Sequence, residues 1–222
     1  MLLLLLGTAL ACTLPGIRST PTPRPAPTPE GDAITFTAPY TFDLRPGNTI
    51  PGTQIKFVQG SEVYELSING LQAYRQNGDS LAWRGIIAPG VLGDYRLRLQ
   101  SSFRQPLQAQ GEVTLTIFNP SPVEIPPTQL PPGNLYFSNI AVHYAVPVER
   151  RIPGTTLVYE GQQNQVAELS GTAGYPFFAL DDSLLWSGKL RENVYVRYNV
   201  RISDLDEEWL ELQGTAELWV EE

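Results

Sequence analysis

One stretch of this chain is written twice. Glu65-Leu66-Ser67, eleven further residues and Asp79-Ser80-Leu81-Ala82-Trp83-Arg84-Gly85 return as Glu168-Leu169-Ser170, eleven residues and Asp182-Ser183-Leu184-Leu185-Trp186-Ser187-Gly188. The offset of 103 residues continues without a gap, so Tyr95, Arg98, Leu107, Gly111 and Leu115 fall on Tyr198, Arg201, Leu210, Gly214 and Leu218. Upstream, Ile50-Pro51-Gly52-Thr53 matches Ile152-Pro153-Gly154-Thr155 at an offset of 102, which places a one-residue insertion between the two blocks. Self-similarity of this period predicts one fold unit built twice, over residues 33–119 and 133–222. Each unit is long enough for one small core.

Local patterning says what kind of unit it is. Ala33-Ile34-Thr35-Phe36-Thr37 alternates apolar with hydroxyl residues, and Tyr95-Arg96-Leu97-Arg98-Leu99 alternates strictly, as half-buried strands do. In the second unit Val194, Val196, Tyr198, Val200 and Ile202 share one face, while Arg197, Asn199 and Arg201 share the other. The 20 prolines and 19 glycines are more than a helical protein would carry. The expectation is an all-β chain: two tandem homologous β-sandwich (or small β-barrel) domains of about seven strands each. An immunoglobulin-like order is conceivable, but its Cys-Trp-Cys spacing is missing.

The N-terminal residues 1–11 are an apolar run ending in small residues, as in an export signal, and too short to span a bilayer. No basic residue precedes the run, as would follow if translation began upstream. Cys12, the chain's single cysteine, comes directly after Ala9-Leu10-Ala11, so cleavage there would leave it N-terminal. These four residues resemble the lipobox of bacterial lipoproteins. The resemblance implies a protein exported to the cell membrane or cell surface and anchored through lipid on Cys12. With one cysteine no intrachain disulfide can form, and stability must come from the β-cores. Residues 12–32 alternate proline with small and polar residues and read as a tether, which in polyproline II geometry reaches roughly 60 Å. Residues 120–132 form a second proline-rich segment and read as a semi-rigid linker.

Charge narrows the partners. Residues 33–119 carry seven basic and six acidic side chains, whereas residues 134–222 carry six and fourteen. A half with that acidic excess is unsuited to nucleic acid or an anionic lipid surface.

The candidate chemistry is thin. Gly78-Asp79-Ser80-Leu81 matches the signature string of the GDSL esterases and lipases. That family needs a histidine within a D-x-x-H motif. The only histidine here is His143, with Ile140 where the aspartate would stand, and the second copy reads Asp181-Asp182-Ser183-Leu184. Ser80 and Ser183 are therefore expected to open strands after a turn, and no enzyme activity or cofactor is expected. His143 shares a strand face with Ala141 and Ala145 and reads as a strand histidine. Trp83, Gly85, Gly111, Trp186, Gly188 and Gly214 recur in both copies and read as a structural signature, with each tryptophan filling the space opposite Gly111 or Gly214. Asp204, Asp206, Glu207 and Glu208 crowd one turn and are the candidate Ca²⁺ ligands, although the glycine and distal glutamate of an EF-hand loop are missing. Trp209 and Trp219 have no counterpart in the first copy, where Pro106 and Thr116 stand, and are the candidate binding aromatics. The expected function is that of a surface-anchored scaffold engaging another protein, a wall polymer or glycan of the envelope, or its own oligomer. The alternative is a carbohydrate or small-ligand module, favoured if stacked aromatics lie exposed beside a groove.

Overall fold

The computed structural model describes residues 32–102, 105–131 and 135–221. The first set of strands is β1 (Ala33–Asp43), β2 (Ile55–Gln59), β3 (Tyr64–Ile68), β4 (Leu71–Arg75), β5 (Ser80–Ala88), β6 (Val91–Ser102) and β7 (Gln105–Phe118). They form a four-stranded sheet of order β1-β7-β6-β5 and a three-stranded sheet of order β2-β3-β4. After β8 (Val123–Glu124) come β9 (Leu135–Pro147), β10 (Arg150–Arg151), β11 (Val158–Gln163), β12 (Val166–Ser170), β13 (Phe177–Ala179), β14 (Ser183–Arg191), β15 (Val194–Leu205) and β16 (Trp209–Val220). These give sheets of order β8-β14-β15-β16-β9 and β10-β11-β12-β13. With β8 and β10 set aside, the two halves have the same strand order. Neither half closes into a barrel. The order also differs from the immunoglobulin one, in which the first strand neighbours the second rather than the last.

Period-two patterning fixes which face is buried. Tyr95, Leu97 and Leu99 of β6 are buried, as are Tyr198, Val200 and Ile202 of β15, while the intervening arginines and Asn199 are exposed. Trp83 stands opposite Tyr95, and Trp186 opposite Tyr198. Register also locates the insertions. Phe36 pairs with Leu115 and Phe137 with Leu218, an offset of 101. A bulge then slips β9 against β16 by one residue, with Asn139 at φ 55°, and raises the offset to 102. The hairpin between β11 and β12, turned on Asn164 and Gln165, both at positive φ, adds the last residue.

The repeated Ile-Pro-Gly-Thr motif is the joint between the halves. Pro and a positive-φ Gly occupy its centre, and the Thr53 and Thr155 N–H groups donate to the Ile50 and Ile152 carbonyls at 3.1 Å, the pattern of a type II turn. The threonine hydroxyls close it, each donating to the same isoleucine carbonyl and accepting the N–H two residues on, of Ile55 and Leu157. Into each turn comes a side chain of the other half. A Cβ on Gly52 would lie 3.1 Å from Leu135 Cδ1, and one on Gly154 would lie 2.9 Å from Ile34 Cδ1. Leu135 and Ile34 are equivalent first inward residues of β9 and β1, so the exchange is reciprocal. Aromatic contacts extend it: Tyr40 lies 6.1 Å from Phe137, and Phe36 lies 6.3 Å from Tyr198. One apolar core consequently runs through both halves.

The proline-rich segment does not hang free. β8 pairs with Gly188 and Lys189 at the edge of β14. Around it the Ser121 N–H donates to the Leu190 carbonyl at 2.8 Å and the Ile125 N–H to the Ser187 carbonyl at 3.0 Å. The Ser187 hydroxyl returns a bond to the Ile125 carbonyl at 2.7 Å. A strap of extended chain thus covers an edge that would otherwise present unpaired backbone groups.

Candidate functional site

The outward residues of the five-stranded sheet fall into rows fixed by register. Lys189, Tyr195, Trp219 and Tyr136 form one row, Ser187, Arg197 and Glu217 the next, and Leu185, Asn199, Thr215 and Ala141 the third. Across the first row the Tyr136 and Trp219 rings stack with centroids 5.2 Å apart at 34°. The Arg197 guanidinium sits 5.7 Å from the Trp219 ring. Arg197 also pairs with Glu217, whose other oxygen accepts the Tyr136 hydroxyl at 2.9 Å. Burial, then the Glu217 carboxylate, pushes the Tyr136 phenol above its ordinary value and keeps it a donor. These four side chains therefore hold one another in place on the sheet.

Beside them opens a cavity of about 810 Å³. One wall is the strap at residues 124–127; the floor and far side are Leu185, Ser187, Arg197, Asn199, Thr215 and Glu217; Ala173 and Trp186 border the rim. Leu185, at 70% exposure, is a large apolar side chain that the fold leaves open. Arg197 and Glu217 line the cavity and also touch the aromatic row, through Trp219 and Tyr136. The first half has the same sheet with different residues: Ala82, Asp94, Thr114, Thr116 and Thr35 occupy the places of Leu185, Arg197, Glu217, Trp219 and Tyr136.

The residues singled out from the sequence are distributed as follows. Trp219 joins this cluster; Trp209 is half-buried at the start of β16, apart from it. Trp83 and Trp186 are buried, and their indole N–H groups donate to Asn69 Oδ1 at 3.0 Å and Thr156 Oγ1 at 3.2 Å, as core anchors require. The space each ring fills is not opposite Gly111 or Gly214. It lies over Gly85 and Gly188 on the same strand, where an added Cβ would come within 2.5 Å and 2.0 Å of the ring. Gly111 and Gly214 are needed because the neighbouring backbone passes close: a Cβ would lie 2.2 Å from the Arg96 or Asn199 carbonyl oxygen.

The aspartate carboxylates of the acidic turn accept hydrogen bonds from its own backbone. The Asp206 carboxylate accepts the N–H groups of Glu208 at 2.9 Å and Trp209 at 2.8 Å, and Asp204 accepts that of Leu205 at 2.9 Å. Among the described residues no three His, Cys, Asp or Glu side chains, and so not Asp204, Asp206, Glu207 and Glu208, are placed to hold a metal ion. Ser80 is exposed at the head of β5, and its neighbour Asp79 accepts the Gln76 N–H at 2.8 Å; Asp182 does the same for Ala179 at 2.7 Å. His143 lies on β9 with its Nε2 3.6 Å from Glu211. Cys12 and the apolar run expected to be an export signal lie outside the described residues.

Comparison with protein-family models, with curated proteins and with solved structures finds no match. The site must be read from its own geometry.

Tyr136, Leu185, Arg197 and Glu217 were missed as site residues. The signal that could have found them is the offset: aligning the halves shows that these outward positions changed chemistry together, whereas the inward ones did not.

Proposed function

We propose that this chain is an exported, lipid-anchored surface protein whose two tandem β-sandwich domains, residues 33–119 and 133–222, arose by duplication and serve as a scaffold. The lipid is carried on Cys12, residues 12–32 are the tether, and the second domain binds an envelope partner, protein or glycan, through the outer face of its five-stranded sheet. The reading is non-enzymatic.

One observation carries it. Of two sheets with the same strand order, only the second, among the described residues, bears stacked aromatics, an interlocked Arg197–Glu217 pair and a strap-walled cavity. A feature needed for folding would be expected on both, and one present on the second alone is free to serve binding. No helix among the described residues is long and apolar enough to cross a membrane, so the anchoring assigned here rests on Cys12 alone.

Two variants of the full chain test the two parts. Cys12→Ala should move the protein from the membrane fraction to the medium; unchanged fractionation overturns the anchor. Leu185→Arg, at an exposed position, should reduce retention of solubilised envelope material on the immobilised protein several-fold without lowering Tm. Undiminished retention would overturn this face as the binding site.

A further inference from the structure

Resting on the assignment of the outer face as a binding site, we infer that its ligand is a neutral oligosaccharide. The charge of the cavity comes first. Arg197 and Glu217 offset each other, and Glu124 at the rim stands on a half already rich in carboxylates, which disfavours a polyanion. A cationic ligand would meet the Arg197 guanidinium among the lining groups. A neutral, polar ligand meets neither obstacle.

The functional groups match that polarity. Arg197, Asn199, Glu217 and Thr215 place planar and hydroxyl groups, with both donors and acceptors, on neighbouring positions of one rigid sheet. Adjacent hydroxyls of a sugar ring, each donor and acceptor at once, satisfy such an array in pairs, and bonds involving the charged groups are the stronger ones. Because Arg197 and Glu217 are already braced by each other, by Trp219 and by Tyr136, little side-chain freedom remains to be lost on binding. On the next row of the sheet stands the Tyr136 ring, half-exposed and backed by Trp219. An electron-rich aromatic face attracts the polarised C–H face of a sugar ring. A cavity of about 810 Å³ falls within the range of small-ligand sites, ~300–1,000 Å³.

An extended peptide is disfavoured by the strap. Peptides commonly dock on sheets by adding a strand to a free edge, and at this cavity the edge of β14 is already paired with β8.

The test uses the full chain and a panel of neutral hexasaccharides of glucose, xylose, mannose and N-acetylglucosamine, titrated by calorimetry and tryptophan fluorescence. At least one should bind, with an affinity unchanged between about 50 and 500 mM salt, since no ion pair forms with a neutral ligand. Asn199→Ala and Leu185→Ser, both at exposed positions, and Trp219→Ala should each weaken it at least tenfold, while Arg96→Ala at the matching position of the first sheet leaves it intact. Melting curves identify any variant that fails to fold, and the two exposed positions keep the test decisive if Trp219→Ala does. Binding of no sugar, binding indifferent to these variants, or salt-sensitive binding of anionic sugars alone each overturns the inference. If sugars fail while Leu185→Arg still abolishes retention of envelope material, the ligand class falls and the binding face stands; if both fail, both fall.

Discussion

The indole of Trp186 lies over Gly188 two positions further along its own strand, a contact that makes hydrogen the only tolerable side chain there. A Cβ at residue 188 would stand 2.0 Å from the ring, so Gly188→Ala must push the indole out and disturb its bond to Thr156. Overpacking of this kind costs about 1–3 kcal/mol. The variant should melt several degrees lower with red-shifted tryptophan emission. Gly174→Ala, where a Cβ meets nothing within 4 Å and φ is not positive, should change neither. A wild-type melt for Gly188→Ala would show that the ring does not rest on the glycine. At this scale the sequence was half legible. Alternation told which residues face inward, including Trp83, Trp186, Gly111 and Gly214. It could not tell which glycine lies beneath which ring, because that depends on how the indole folds back along its own strand.

Residues 120–127 show what proline content hides. Pro120, Pro122, Pro126 and Pro127 have no N–H and cannot sit in the middle of a sheet, so the segment reads as linker. Ser121 and Ile125 keep theirs, and those are the groups that donate to Leu190 and Ser187 at the edge of β14. Proline is acceptable on an edge strand whose other side faces water. Ile125→Pro removes one of these donors without altering a residue of the apolar core. It should lower stability by about 1 kcal/mol and expose the Ser121 amide to faster hydrogen exchange. Unchanged exchange at Ser121 would mean that the strap is held by something other than these bonds. The long strands, by contrast, could be read directly: β15 alternates as far as Ile202, where a bulge follows, and β16 alternates throughout, and burial follows the alternation.

Over the whole molecule, the recurring sequence pattern was visible in the residues but the packing of the halves was not. The Ile-Pro-Gly-Thr motif announced a turn; nothing in one copy says that its partner is the other copy's first strand. Reciprocal insertion of Ile34 and Leu135 ties the two halves into one core. The folded chain should therefore melt in a single calorimetric transition, with calorimetric and van't Hoff enthalpies equal. Ile34→Ala and Leu135→Ala should each cost about 2–4 kcal/mol, and the double variant should separate the melt into two steps. Two transitions in the wild-type protein would show that the halves fold independently.

The placement of Ile34 also sets the path of mechanical load. Tension entering at residue 33 reaches β1, and the second residue of that strand is lodged against Gly154 in the opposite half. Part of the force is thereby shared with the half that carries the cavity. Along β1 the same pull is resisted by eleven residues paired with β7, from Ala33 opposite Phe118 to Asp43 opposite Gln108, loaded in shear rather than opened one bond at a time.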